Sequence, residues 1–260
     1  RDLHSFPTRR SSDLHIAILS LQQDFHVLVI DDSSPDGTAQ IVRELQAEFP
    51  TRLFLEERKG KLGLGTAYIH GFKWALAKGY RYIFEMDADF SHNPNDLRRL
   101  YEACRVDGAD MAIGSRYVKG GGTVNWPWDR VLLSKGGSLY TRIITWIPVS
   151  DTTAGFVCYK REVLEAINLD QIQFLGYAFQ IEMKFATWKL GFKIKEVPII
   201  FEDRKFGTSK MHKGIVKEGI LGVLKLRWYS LFKDYRNRVK NNTIWRSEER
   251  RVGNECRSRW

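Results

Sequence analysis

The sequence is poor in the residues that would restrain a small or secreted domain. It has three cysteines in 260 residues, Cys104, Cys158 and Cys256, odd in number and far apart. That excludes a disulfide framework and any cysteine-based zinc spacing, and points to a reducing compartment. His70, His92 and His212 stand singly, without metal-ligand spacing. No apolar run approaches the roughly 18 residues that span a bilayer, and no apolar core follows the first charges as in a secretory signal. The expectation is a cytoplasmic chain, free or peripheral to the cytoplasmic membrane face. Acidic excess is absent too: the formal charge is +10, so polyanions, anionic membranes and phosphorylated small molecules are the candidate partners. Hydrophobic residues make up 43%, enough for a packed core.

Both ends lack amphipathic period. RDLHSFPTRRSSDL (1–14) and RSEERRVGNECRSRW (246–260) are crowded with Arg and resemble translated sequencing adapters, so they are set apart as non-native. The remainder, 15–235, reads as one domain.

Apolar, β-branched runs at 26–30 and 52–58 and the run YRYIFEM (80–86) read as strands. Between them lie a helix from Thr38, with Thr38 as its cap, and a glycine-rich loop leading into a helix closed by Gly79. Pro94 opens a further helix, and 109–117 is a fourth strand. Strands alternating with helices predict an α/β fold with a mostly parallel sheet, helices on both faces, and ligands at the carboxyl ends of the strands. Asp31, Asp32, Asp87, Asp89 and Arg116 fall at those ends. Strand alternation would turn Asp87 and Asp89 to one side. Two adjacent like charges call for compensation, and a hard divalent cation, Mg²⁺ or Mn²⁺, shared with a substrate phosphate would supply it. A solvated turn with two capping carboxylates is the plainer alternative.

The second half is less regular. A glycine- and tryptophan-bearing loop precedes a helix over 130–147, whose polar stripe is Arg130, Ser134, Ser138, Thr141 and Thr145. Its apolar side suits either a lipid headgroup interface or a buried core. DRKFGTSK (203–210) sets Arg204, Lys205 and Lys210 around a turn, suited to a diphosphate leaving group or to plain solvent. GKLGLGT (60–66) departs from both the Walker and the dinucleotide spacing. Tryptophans beside arginines could stack bases, but no nucleic-acid motif is present and the carboxylates would repel phosphates, so no nucleic-acid partner is expected.

VLVIDDSSPDGT, EMDADFSHNP, IGSRY, DTTAGFVCYKREVL and GYAFQIEMKFATWKLGFKIKEVPIIFEDRKFGTSKM follow one another in this order. Together they resemble the polyprenol (dolichyl) monophosphate mannose synthases, inverting glycosyltransferases of the family-2, GT-A type, over about 16–235. The resemblance implies a Rossmann-like GT-A fold with C-terminal amphipathic helices, and mannose transfer from GDP-mannose to a polyprenyl phosphate at a Mg²⁺ or Mn²⁺ ion. It implies that Asp32 contacts the nucleoside and that Asp87 and Asp89 hold the metal. Arg204 and Lys210 would hold the donor diphosphate, with Asp89 and Arg204 catalytic. Arg116, Arg130 and Ser134 would face the acceptor phosphate, beside a membrane surface. A related transferase using UDP-glucose, and an inactive remnant, remain the alternatives. The family begins with a strand and a Pro-x-Tyr-Asn-Glu-like segment. SFPTRRSSDL occupies that place here, so the first strand and its loop are expected to be missing, with neighbouring strand edges exposed.

Overall fold

The computed structural model describes residues 7–21, 24–176, 178–203 and 213–237. The chain begins with helix α1 (Pro7–Leu19), which starts inside the segment set apart above and buries Leu14 and Leu19. Strand β1 (Val27–Asp31) follows, then α2 (Thr38–Gln46), β2 (Leu53–Glu57), α3 (Leu64–Ala77), β3 (Tyr82–Glu85), α4 (Asp96–Arg105) and β4 (Met111–Ser115). The second half holds β5 (Gly122–Val124), α5 (Trp128–Thr145), β6 (Val157–Lys160), α6 (Arg161–Ala166), α7 (Ala178–Lys189), β7 (Ile194–Pro198), β8 (Ile200–Glu202) and α8 (Lys213–Tyr229).

Local chemistry accounts for the boundaries. Gly37, rather than Thr38, is the N-cap of α2, and Asp36 Oδ1 ahead of it accepts from the Thr38 backbone N–H at 3.1 Å and from the Thr38 hydroxyl at 2.7 Å. Helix α3 ends as its sequence announces, with Gly79 at φ 85°, a conformation glycine adopts without a Cβ penalty.

Among the described residues the strands form three separate sheets. β1 and β2 pair in parallel, with Val27 opposite Leu53. A four-stranded sheet has the order β3-β6-β4-β7, and β5 pairs with β8. β4 and β7 are parallel, whereas β6 runs antiparallel to both neighbours. Among the described residues β1 and β2 stand apart from the four-stranded sheet, and β1 and β3 are not paired neighbours. The antiparallel β6 arises because it is inserted between β3 and β4 after the α5 excursion, and periodicity carries no information on strand sense.

Period-two alternation feeds two cores from the four-stranded sheet. Ile83, Met111, Ile113, Val157 and Tyr159 face a cluster containing Phe72 and Phe179. Ala112, Phe156 and Cys158 face the other, against Leu97 and Leu100 of α4. β4 is buried at every position, as a strand covered on both faces must be. No helix among the described residues is long and apolar enough to cross a membrane.

Candidate active site

β3 ends at Glu85, so the carboxylates that follow lie in a turn rather than on the strand. Strand alternation therefore does not set their direction; side-chain bonds do. Tyr68 of α3 donates its hydroxyl to Asp87 Oδ1 at 3.0 Å. Asp89 Oδ1 accepts from the Ser91 backbone N–H at 3.0 Å and also from the Ser91 hydroxyl. Phe90 between them sits at φ 59°, a left-handed conformation unusual for a bulky residue. Gly155 passes close by: a Cβ there would lie 3.6 Å from Asp87 Oδ2.

Asp87 and Asp89 border a cavity of about 220 Å³ whose wall also includes Arg116, Arg130 and Ser134. Five of the residues singled out in the sequence are thereby brought together. Asp32 is not in this wall. It forms a two-point ion pair with Arg58, at 2.7 and 2.8 Å, and Arg58 also donates to Thr66 at 2.9 Å. Arg204 and Lys210 lie outside the described residues.

The two arginines are held differently. Arg116 and Asp151 form a buried pair, with Nε to Oδ2 and Nη2 to Oδ1 both at 2.6 Å and the Arg116 backbone N–H to Oδ2 at 3.0 Å. Burial opposes both charges, yet the bonds and mutual attraction outweigh it: Asp151 stays below its ordinary pKa and Arg116 above its own. Arg130 is more open. It donates to both oxygens of Asp203 at 2.9 Å and lies 4.2 Å from the centre of the Trp126 ring. Tyr117 donates its hydroxyl to Ser134 Oγ at 2.6 Å.

Several residues here escaped the sequence reading. His92, treated there as ordinary, is buried in the cavity wall between the rings of Phe156 and Phe201, and burial lowers its pKa to about 4. Beneath the carboxylates, burial raises Glu85 to about 8 and lowers Lys184 to about 8. Tyr159 donates to Glu85 at 3.1 Å, and Lys184 donates to the Ala154 carbonyl at 2.6 Å and the Gln180 carbonyl at 3.2 Å. No local signal marked these groups. Helix α7 is buried at all positions from Ala178 to Thr187, so its polar residues break no visible amphipathic stripe.

Helix α5 packs inside out. Its polar stripe is inward, with Ser138, Thr141 and Thr145 buried. Thr141 and Thr145 satisfy their hydroxyls on the Gly137 and Thr141 carbonyls at 2.9 and 2.6 Å. Part of its apolar side faces outward: Leu132, Leu139 and Ile143 are exposed, and Trp146, just past its end, is 72% exposed. α8 packs beside it, through the Tyr140 hydroxyl on the Ile220 carbonyl at 3.1 Å and Arg227 over the Trp146 ring. Beyond that contact, Leu224 and Trp228 of α8, and Phe232 after it, are exposed as well. The apolar side is thus divided: Tyr140, Ile144 and Ile147 pack on the core, as the buried-core alternative has it, and the others face outward.

Among the described residues no group of three or more acidic, histidine or cysteine side chains is gathered for a metal. Two carboxylates, Asp87 and Asp89, provide hard oxygen donors and leave most positions of a Mg²⁺ or Mn²⁺ ion to water and a substrate phosphate, a donor set that fits such an ion.

Comparison with known proteins shows the family and the fold. The profile of Glycosyl transferase family 2 matches residues 9–167. A polyprenol monophosphomannose synthase of Mycolicibacterium smegmatis is 46% identical over 76% of this chain and 74% of its own length. An undecaprenyl-phosphate mannosyltransferase of Micrococcus luteus is 49% identical over 79% of this chain and 85% of its own. Among solved structures, glucosyl-3-phosphoglycerate synthase from Mycobacterium tuberculosis superposes with a TM-score of 0.61 at 15% identity, covering 86% of this chain and 77% of that one. A mannosyltransferase from Pyrobaculum calidifontis, solved with GDP-Man and Mn²⁺, superposes at 0.53 and 17% identity, over 87% of this chain and 60% of its own. The fold is GT-A, and the chain belongs to glycosyl transferase family 2.

Proposed function

We propose that this glycosyltransferase moves mannose from GDP-mannose to a polyprenyl phosphate, with inversion, at a Mg²⁺ or Mn²⁺ ion held by Asp87 and Asp89. The observation that carries the reading is a cavity that joins two carboxylates and two arginines to an apolar floor. Tyr140, Ile181, Ile220 and Val223 line that floor. Its walls are α5 and α8, whose outer faces are apolar. An acceptor with an anionic head and a hydrocarbon tail fits that sequence of surfaces, and a soluble sugar acceptor does not call for it. The relatives from Mycolicibacterium smegmatis and Micrococcus luteus, named for polyprenol and undecaprenyl phosphate, support the same acceptor class.

The bound ion would offset the negative charge growing on the departing diphosphate. The acceptor phosphate is already an anionic nucleophile, so the site needs no strong general base. His92, neutral through burial, adds no charge at neutral pH. Tyr68 and Ser91 orient the two carboxylates toward the donor. Arg130 and Ser134 receive the acceptor phosphate on the side of the sugar away from the diphosphate, which gives inversion. Asp32 serves the nucleoside side, and Arg204 and Lys210 the diphosphate. The outward apolar faces of α5 and α8 rest on the cytoplasmic membrane surface, with Arg142, Lys225 and Arg227 available to lipid phosphates.

The test is transfer of labelled mannose from GDP-mannose to a polyprenyl phosphate with Mg²⁺ or Mn²⁺, with UDP-glucose as competitor. Metal-dependent transfer that falls by about 10² or more in Asp89→Ala is expected. Full activity in that variant, or preference for UDP-glucose, would refute the assignment.

A further inference from the structure

α7 is buried at every position from Ala178 to Thr187, so a charged group on it has to find its partners in the interior. Lys184 has no exposed surface. Its Nζ donates to the Ala154 carbonyl at 2.6 Å, to the Gln180 carbonyl at 3.2 Å and to Gln180 Oε1 at 3.2 Å, which uses all three of its hydrogens. Burial lowers its pKa to about 8 against the pull of Glu85 and Asp151, so at pH 7 it is mainly an ammonium.

The groups it holds meet at Asp87. Ala154 and Gly155 line the same cavity as Asp87. A Cβ on Gly155 would lie 3.6 Å from Asp87 Oδ2 and 3.7 Å from Gln180 Nε2. The Gln180 amide has one orientation open to it: an ammonium only donates, so Lys184 takes the oxygen and the N–H₂ turns away from it. That N–H₂ is buried beside Gly155, faces Glu85, and has no bond of ordinary geometry among the described residues. The other oxygen of Asp87 is reached from the same helix. Tyr68, which donates to Oδ1 at 3.0 Å, stacks on Phe179 of α7 with ring centres 5.8 Å apart and planes at 8°. α7 thus stands behind both oxygens of Asp87, through Phe179 and Tyr68 at one and through Lys184, Gln180 and Gly155 at the other.

We propose that Lys184 is a positioning residue for Asp87: it clamps the 154–155 backbone and the Gln180 amide, and so holds the Asp87 carboxylate in one place for a divalent ion. The proposal rests on the reading that Asp87 and Asp89 hold such an ion. It predicts a sign that charge alone would reverse. A buried ammonium near a cation site repels the cation, so removing a group that acted only through its charge would tighten the ion. Removing a group that acts through position loosens it, as loss of the outer contacts of metal ligands does.

The experiment measures Mn²⁺ binding to the full chain at pH 7, by electron paramagnetic resonance of the free ion, in the parent, Lys184→Met, Lys184→Gln and Asp87→Asn. Circular dichroism melts fix the folded fraction of each. Met keeps most of the length and removes every donor, whereas Gln keeps an N–H₂ for the Ala154 carbonyl. The Mn²⁺ dissociation constant is expected to rise about tenfold or more in Lys184→Met, and by a smaller factor in Lys184→Gln. An unchanged constant in folded Lys184→Met would reduce Lys184 to a packing residue and overturn the proposal. A tightened one would make it a charge effect and overturn it too. Where Lys184→Met does not hold its fold, Lys184→Gln decides by the same sign: weaker binding supports the clamp, and unchanged or tighter binding overturns it. Parent binding that is absent, or that survives in Asp87→Asn, would overturn the metal reading itself and this proposal with it.

Discussion

Replacing Asp151 with Asn tests how the active-site wall is held. Asp151 is fully buried and accepts three hydrogen bonds from Arg116, two from the guanidinium at 2.6 Å and one from the backbone at 3.0 Å. The guanidinium also lies 5.1–5.5 Å from the ring centres of Tyr117, Trp126 and Phe201, so little water can replace a lost partner. Asn retains one acceptor oxygen, turns an N–H₂ toward a cation and removes the countercharge. Breaking a buried pair from one side costs about 3–5 kcal/mol, a large share of the roughly 5–15 kcal/mol that holds a domain. Arg116→Met should cost a similar amount, because it strands the carboxylate. The double variant leaves no buried charge and sets a thioether among three rings, so its cost should fall short of the sum by about 2 kcal/mol or more. Urea denaturation at pH 7, followed by circular dichroism, gives all three values. A loss below about 1 kcal/mol in Asp151→Asn, or strict additivity in the double variant, would refute the claim that this pair is a buried unit.

Other expectations follow from the same contacts. His92 is neutral in the fold and titrates near 4, against 6.5 unfolded, so its contribution is complete above 6.5 and is lost as pH falls toward 4. At pH 5 that is roughly 2 kcal/mol, and urea melts at pH 7 and 5 should show a smaller acid loss in His92→Gln than in the parent. A Cβ at Gly65 would lie 2.8 Å from Phe179 and 3.0 Å from the backbone around Leu175, so Gly65→Ala should lower stability by about 1–3 kcal/mol in a thermal melt. Leu139→Glu with Ile143→Glu, both on the outward face of α5, should leave the melting temperature nearly unchanged and weaken co-sedimentation with phosphatidylglycerol vesicles about tenfold or more. Unchanged vesicle binding would remove the membrane role from that face.

The order of elements was legible because the N-terminal half is built from strongly β-branched runs separated by glycine, proline and aspartate. Val27–Asp31 and Leu53–Glu57 fall within a residue or two of the sequence reading. What stayed hidden depended on contacts distant in the chain. Arg116 meets Asp151 across 35 positions and Arg130 meets Asp203 across 73. β5 and β8 pair over three residues each, too short for any period. The amphipathic pattern of α5 was correct, but a pattern gives two faces and not which one is inside. Tertiary packing decided that, burying hydroxyls that bond back to their own helix and leaving the leucines outside. Helix α1 begins at Pro7, ahead of the compositional boundary drawn at 14.

The two arginines assigned to an acceptor phosphate differ in what each can give up. Both already neutralise a carboxylate, so an arriving anion must displace one or share the cation. At Arg116 the displaced group would be Asp151, with no exposed surface and three bonds to lose, and a phosphate would have to repay several kcal/mol before gaining anything. At Arg130 the side chains of the pair are 18% and 24% exposed, so water reaches part of the pair and separating it costs less than at Arg116. A doubly charged phosphate with three oxygens competes well against a single carboxylate there. Under the proposed reading Arg130 would be the exchangeable cation, while Arg116 fixes the wall against which Trp126 and Phe201 stand. The carboxylate that Arg130 would release belongs to Asp203, the residue directly ahead of Arg204. Under the proposed reading, acceptor arrival at Arg130 is thereby coupled to the segment assigned to the donor diphosphate.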